Sequence, residues 1–252
     1  MTTVQPALVT NGIADYSVFP VADLDLVVSC EPHPLVISHG AEIRANWEAE
    51  VAANPALYDG RMVLQHRIEI ALGSVRAVGH LVPFSTLLYW RKAKPPGGAA
   101  HLFAVPALMS SDNALIAIRM GEHTANPGKV YSPGGSLEGE DIVEGRCDPD
   151  RNMAREVVEE TGIALSEAES VSGFHALHAD GYVTLFRVYR FGQDAETLLA
   201  RIAAHVAGEA EPEIAGAIAI RDADPVRYPY AHFMPAMLAW LFEGGQDSGR
   251  NA

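Results

Sequence analysis

A chain of 252 residues with 48% hydrophobic content and a formal net charge of −14 is long enough for one large domain or a core domain with an added module, and needs no staples to fold. Cys30 and Cys147 lie too far apart for a disulfide framework or a spaced zinc site, which points to a reducing compartment. The acidic balance, with no cluster of Lys and Arg to offset it, argues against nucleic acid. No basic-then-apolar leader and no run of about 18 apolar residues is present, so a cytoplasmic protein with no membrane partner is expected.

In chain order, the first forty residues read as short strand-like pieces such as "LDLVVS", separated by Pro20, Pro32 and Pro34. Residues 40–54 place Ile43, Trp47 and Val51 four apart, predicting an amphipathic helix that Asn54-Pro55 ends. Residues 61–72 and 74–82 are rich in branched side chains and read as two strands after an Asp59-Gly60 turn. "KAKPPGGAAH", residues 92–101, suits neither helix interior nor central strand and marks a module border: residues 1–95 as an N-terminal extension, 96–252 as the main domain.

Beyond the border, residues 102–110 and 114–120 predict strands around a Ser111-Asp112-Asn113 turn, followed by a polar loop and the glycine turn Pro133-Gly134-Gly135. Residues 148–161 predict a helix with Asp148 as cap, Pro149 in its first turn and Gly162 after its end. Residues 170–178 and 182–191 predict a hairpin around Ala179-Asp180-Gly181; 195–206 a helix, 213–220 a strand and 230–243 a C-terminal helix. Strands interleaved with helices predict an α/β (α+β) sandwich with a mixed sheet. The apolar aromatic C-terminal stretch is either core or the interface of a homodimer.

"MAREVVEETGIAL", residues 153–165, is electrostatically odd. Glu156, Glu159 and Glu160 share one helix face, with Ala154, Val157 and Val158 opposite, and the last two carboxylates lie where the helix dipole disfavours negative charge. Arg155 reaches Glu159 at i+4, but one cation does not neutralise three carboxylates. Such a set is either a solvated acidic face or a cluster of hard oxygen ligands for Mg²⁺ or Mn²⁺. The upstream Pro-Gly-Gly turn favours the second, since it lets backbone approach a ligand and offers carbonyl ligands.

Together these segments resemble the Nudix hydrolase signature. Arg155, Glu156, Val157, Glu159, Glu160, Gly162 and Ile163 fill every defined position of its R-E-U-x-E-E-x-G-U half. The first half departs: after five intervening residues Gly135 is followed by Asp141 rather than Glu, with Glu140 one earlier, and the spacer to Arg155 is about six residues too long, read as a longer loop before an intact helix. The resemblance covers roughly residues 100–245 and implies a Nudix-type α/β/α sandwich that cleaves nucleoside diphosphate derivatives with Mg²⁺ or Mn²⁺. Glu156, Glu159 and Glu160 would hold metal, with the Gly135 carbonyl as a further ligand and Arg155 orienting a glutamate. The catalytic base would be one of the helix glutamates, Glu159 or Glu160 among them, or Glu211 or Glu213 of the loop "GEAEPE", Glu213 being read as a base rather than a solvated loop charge. Arg119, Lys129 and Gly134 would meet substrate, and His123 more weakly.

Two finer likenesses bear on the substrate. Residues 46–63 are similar to the lead-in of Nudix proteins acting on nucleotide sugars, the first expectation. The spacing from Arg119 to Gly135 resembles the coenzyme A-cleaving subfamily, although Met120 and Ser132 depart from it. Coenzyme A or ADP-ribose cleavage, and a non-catalytic ligand-binding module, are the alternatives.

Overall fold

Alternating branched and apolar residues build the strands, and capped apolar stripes build the helices. In chain order these are β1 (Leu8–Val9), β2 (Phe19–Ser29), α1 (Pro34–Ala53), β3 (Arg61–Ala71), β4 (Gly73–Pro83), α2 (Phe84–Ala93), β5 (His101–Met109), β6 (Leu115–Met120), β7 (Val130–Tyr131), β8 (Ile142–Val143), β9 (Arg146–Cys147), α3 (Pro149–Thr161), β10 (Ser170–Val171), β11 (Phe174–Ala179), β12 (Tyr182–Arg190), α4 (Ala195–Gly208), β13 (Ile214–Ile220) and α5 (Met234–Phe242). The structure is a computed structural model and describes residues 7–96 and 98–244. Gly97 of the proposed border, and the outermost residues of the two expected modules, lie outside the described residues.

Strand pairing runs β1-β3-β4-β2-β11-β12-β5-β6-β13. β2 with β4 and β5 with β12 are parallel, while β3 with β4, β11 with β12 and β6 with β13 are antiparallel, so the sheet is mixed as expected. The β2–β11 pairing joins strands from the two sides of the proposed border. α3 packs on β5 and α4 on β13, over a core that includes Leu102, Ile116, Ile118, Met153, Val157, Leu198 and Phe186. α1 and α2 pack together, and Leu35, Leu87 and Trp90 join Met62, Leu64 and Val82 in a second apolar cluster.

Several elements differ from expectation. α1 begins at Pro34, capped by the His33 imidazole, and passes through a kink at His39, because the cap and proline upstream of Gly40 already start a turn. Phe84–Ala93, for which the periodicity predicts no element, forms α2 and stops where Lys94 turns left-handed. α5 begins at Met234, and its Met237, Leu238 and Leu241 are buried, so this stretch serves the core of the chain. The β11–β12 turn is the two-residue Asp180-Gly181, both with positive φ, with Ala179 opposite Tyr182.

The largest departure is the long spacer. It is not a loop: β8 and β9 form a hairpin about Glu144-Gly145, both at positive φ, and it docks on β2 through Val27 opposite Arg146 and an Arg146–Asp25 ion pair of 2.9 Å. The Asp148 amide donates to the Asp141 carbonyl at 2.8 Å and closes the hairpin, so the extra residues leave and return at one point. Asp148 then caps α3 by accepting from the amides of Asp150 and Arg151.

Candidate active site

α3 presents Met153 and Val157 to the core together with Asn152, Glu160 and Thr161, whereas Ala154 and Val158 are exposed. The helix is thus rotated from the orientation its sequence suggested, because Glu156 and Glu160 are turned inward onto the glycine turn. The Gly134 amide donates to Glu160 Oε2 at 2.9 Å, and Glu160 is only 6% exposed. Glycine is required at position 134, where at φ +142° a Cβ would lie 2.7 Å from the Ala104 carbonyl, and a Cβ on Gly135 would lie 2.6 Å from the Glu156 carboxyl and displace it. Glu159 points outward, with 58% of its side chain exposed.

Arg155 ties the cluster together, reaching Glu156 at 2.8 Å, Glu159 at 3.0 Å and Asp141 at 3.2 Å. Asp141 is fully buried and also accepts from the Glu138 amide at 2.8 Å and Asn152 Nδ2 at 2.9 Å. It therefore fastens the turn to α3 and positions Arg155, while Glu140 stays exposed at the cleft wall. This separates the two residues between which the sequence left the acidic position open. Glu138, which sequence reasoning passed over, lines the same cleft. Its signal was its position three residues after Gly135, masked by the family spacing that drew attention to Glu140 and Asp141. At the end of α3, His205 Nε2 donates to the Glu159 carbonyl at 2.9 Å, giving the last turn a partner from α4.

The carboxylates are electrostatically loaded. Burial, opposed by Arg155 and reinforced by Glu159 and Glu138, pushes the Glu156 carboxyl up to about 7. Burial, then Glu156, raises Glu160 well above the carboxylate range despite the Gly134 hydrogen bond, and Glu213 adds to that push. Among the described residues, no three His, Cys, Asp or Glu side chains converge as a ready-made metal cage. Mg²⁺ and Mn²⁺ need no such cage: one or two carboxylates plus backbone carbonyls, water and substrate oxygens suffice. Buried Glu160 and largely buried Glu156 flank Gly134-Gly135 with the single Arg155 guanidinium shared among Glu156, Glu159 and Asp141, and fit that smaller donor set.

The glutamates open on a cleft of about 940 Å³ lined also by Tyr58, Arg61, Glu138, Glu211 and Glu213. Glu213 is exposed on its far wall, beyond the Gly121 amide that donates to its carbonyl at 2.8 Å. Behind the glycine turn lies a second cavity of about 300 Å³, which Lys129 and Gly134 line. Arg119 stands on β6, exposed, and lines neither space; His123 borders the acidic cleft. The residues expected at the site from residue 129 onward are brought together; Arg119 is not. Arg91, His101, Tyr182 and His232 around the second cavity were not foreseen, because α2 was unassigned and their approach is purely tertiary.

With Glu156 and Glu160 packed on Gly134-Gly135, motif and geometry agree. Residues 155–163 match the second half of the Nudix signature. No family profile matches the chain, and no curated protein does. Among solved structures it is similar to the MutT protein of Methanosarcina mazei Go1 at 21% identity, over 37% of this chain and 63% of that one, with a TM-score of 0.28. It is also similar to a MutT Nudix hydrolase of Burkholderia pseudomallei at 20% identity, over 55% and 96%, TM-score 0.35. A third is a bifunctional NMN adenylyltransferase/ADP ribose pyrophosphatase of Francisella tularensis, complexed with AMP and Mn ion, at 16% identity, over 49% and 32%, TM-score 0.30.

The raised carboxyls of α3 have a measurable consequence. An acid whose folded pKa exceeds its unfolded one stabilises the native state fully below the unfolded value, about 4.5 for Glu156, and loses that contribution as pH rises through about 7. With chelator present, the melting temperature is expected to fall between about pH 5 and about pH 8, and added Mn²⁺ or Mg²⁺ to raise it more at the higher pH. A melting temperature that climbs over that span, or a metal effect independent of pH, would contradict this account.

Proposed function

We propose that the chain is a Nudix-type pyrophosphohydrolase that uses Mg²⁺ or Mn²⁺ to cleave the diphosphate of a nucleoside diphosphate derivative, a nucleotide sugar first among them. The observation that carries this reading is the pair Glu156 and Glu160 held against the Gly134-Gly135 turn on the wall of a large cleft. Glu156, Glu160 and the Gly135 carbonyl would hold the ion, with Glu159 at the outer edge. When bound, the ion polarises the diphosphate and lowers the pKa of a water for in-line attack. Arg155 keeps Glu156 and Glu159 in place from beneath, and Glu160, Glu159 or Glu213 accepts the proton of the attacking water.

The nucleotide-sugar reading draws support from residues 46–63. The part of that stretch around Tyr58 and Arg61 lines the cleft, which supports a role for the N-terminal part in shaping the substrate site. ADP-ribose and coenzyme A are the competing diphosphates. A non-catalytic binding module is disfavoured because two buried like charges are costly to retain without a use. The test is a panel of nucleotide sugars, ADP-ribose, coenzyme A and nucleoside triphosphates with Mg²⁺ and with Mn²⁺, products resolved by chromatography. Metal-dependent release of a nucleoside monophosphate from nucleotide sugars is expected. Binding without turnover of any diphosphate would favour the non-catalytic alternative.

A further inference from the structure

The 300 Å³ cavity behind the glycine turn shares Asn126, Tyr131, Gly134, Gly135 and Ser136 with the acidic cleft. A group seated there therefore places whatever is attached to it over the glutamates. Its volume is at the lower end for small-molecule sites, enough for one flat moiety and not for a whole nucleotide sugar. The walls are rings: Phe103 packs on Phe233 at 5.4 Å between centroids, and Tyr182 on His232 at 4.5 Å. Both cavity histidines are neutral near pH 7, since burial and then Arg91 push His101 down to about 3, and burial lowers His232.

One cation reaches this apolar chamber from the N-terminal part. α2 is locked in place by Trp90, which is 2% exposed and packs on Tyr182 at 5.0 Å, and by the Lys94 ammonium over both rings at 3.7 and 4.2 Å. The next residue after Trp90 is Arg91, whose Nη2 donates to Asn126 Oδ1 at 2.8 Å. A guanidinium has five donors and no acceptor. It thereby fixes the orientation of the Asn126 amide, consuming the oxygen and leaving the NH₂ to face other groups. The Asn126 NH₂ donates one hydrogen to the Tyr131 hydroxyl at 3.4 Å and keeps a second, and Arg91, Asn126 and Lys129 all bring donors to the cavity lining.

We propose that this cavity binds the heterocyclic base of the nucleotide, and that Arg91 selects bases whose edge presents ring carbonyls over bases that present an exocyclic amine. The inference rests on the pyrophosphohydrolase reading and deepens it. Flat aromatic walls suit a stacked heterocycle. A carbonyl accepts from the guanidinium, whereas an amine there would set donor against donor and leave buried groups unpaired. A phosphate in this chamber is disfavoured, because the rings of Phe103, Tyr182 and Phe233 and two neutral imidazoles stand among its walls and dedicated phosphate sites surround the anion with donors.

The test is calorimetric titration of the intact protein, with chelator and no metal, using UMP, CMP, IMP and AMP, which form two carbonyl-for-amine pairs. UMP should bind at least about tenfold more tightly than CMP, and IMP than AMP. Arg91→Ala should bring each pair within about twofold, and Arg91→Lys, which keeps the charge but loses the fork, should also lose most of the discrimination. Because Arg91→Ala could loosen α2, Asn126→Ala supplies a second variant that should weaken discrimination with the melting temperature unchanged. Equal binding within each pair, no binding of any monophosphate, or Arg91-dependent binding of inorganic phosphate would overturn the assignment. Base-selective binding without metal-dependent hydrolysis would retire the proposed reaction and keep the pocket. Hydrolysis indifferent to the base would do the reverse.

Discussion

Glu160→Gln is expected to lower metal-dependent hydrolysis by about 10²–10⁴-fold while leaving the metal-free protein as stable or more stable. The amide retains an oxygen that accepts from the Gly134 amide in place of the bond now 2.9 Å long, so the turn keeps its anchor. What disappears is a buried ionisable group that burial and Glu156 hold well above its ordinary pKa. Removing it relieves the like-charge contact with Glu156, and at about pH 8 with chelator the melting temperature should rise or stay constant. Activity within about tenfold of the unmodified chain would remove Glu160 from the chemistry. A clear drop in melting temperature would make its carboxylate a structural anchor first.

Arg155→Met should have the largest effect on stability. The side chain is 19% exposed and bridges Asp141, Glu156 and Glu159, and Asp141 is fully buried with Arg155 as its ion-pair partner among the described residues. Methionine fills much of the volume but leaves that charge unpaired, a loss of about 3–5 kcal/mol for a buried pair broken on one side. Denaturant unfolding at neutral pH reads the loss, and hydrolysis should fall with it because Glu156 and Glu159 lose their tether. Adding Asp141→Asn to Arg155→Met should restore part of the stability, since the stranded charge is gone while Asn still accepts from the Glu138 amide. A single-variant cost below about 1 kcal/mol would show that the bridge is no stronger than a surface ion pair.

Much of the candidate site is local and therefore legible in one dimension. Asp148, Pro149 and Gly162 start and stop α3 by cap chemistry that acts within a few residues. The Glu156 and Glu160 spacing puts both carboxylates on neighbouring turns whatever the helix packs against. The Asp180-Gly181 turn is likewise set by two residues that tolerate positive φ. Less legible was the helix rotation: periodicity placed Ala154 and Val158 on the apolar back, but the pull of Glu160 toward the Gly134 amide exposes both.

The sequence alone determined the mixed α/β class, the boundaries of α3 and the pairing of a carboxylate helix with a Pro-Gly-Gly turn, because caps, turns and periodicity are properties of short segments. Tertiary structure alone decided the rest. The six-residue excess becomes a hairpin because β2 offers it an edge at Val27 and Asp25, contacts more than a hundred residues away in the chain. Asp141 becomes a buried fastener because Arg155 and Asn152 close over it. Arg91 enters the cavity because Trp90 and Lys94 clamp α2 onto Tyr182, a convergence of distant segments that no local pattern encodes.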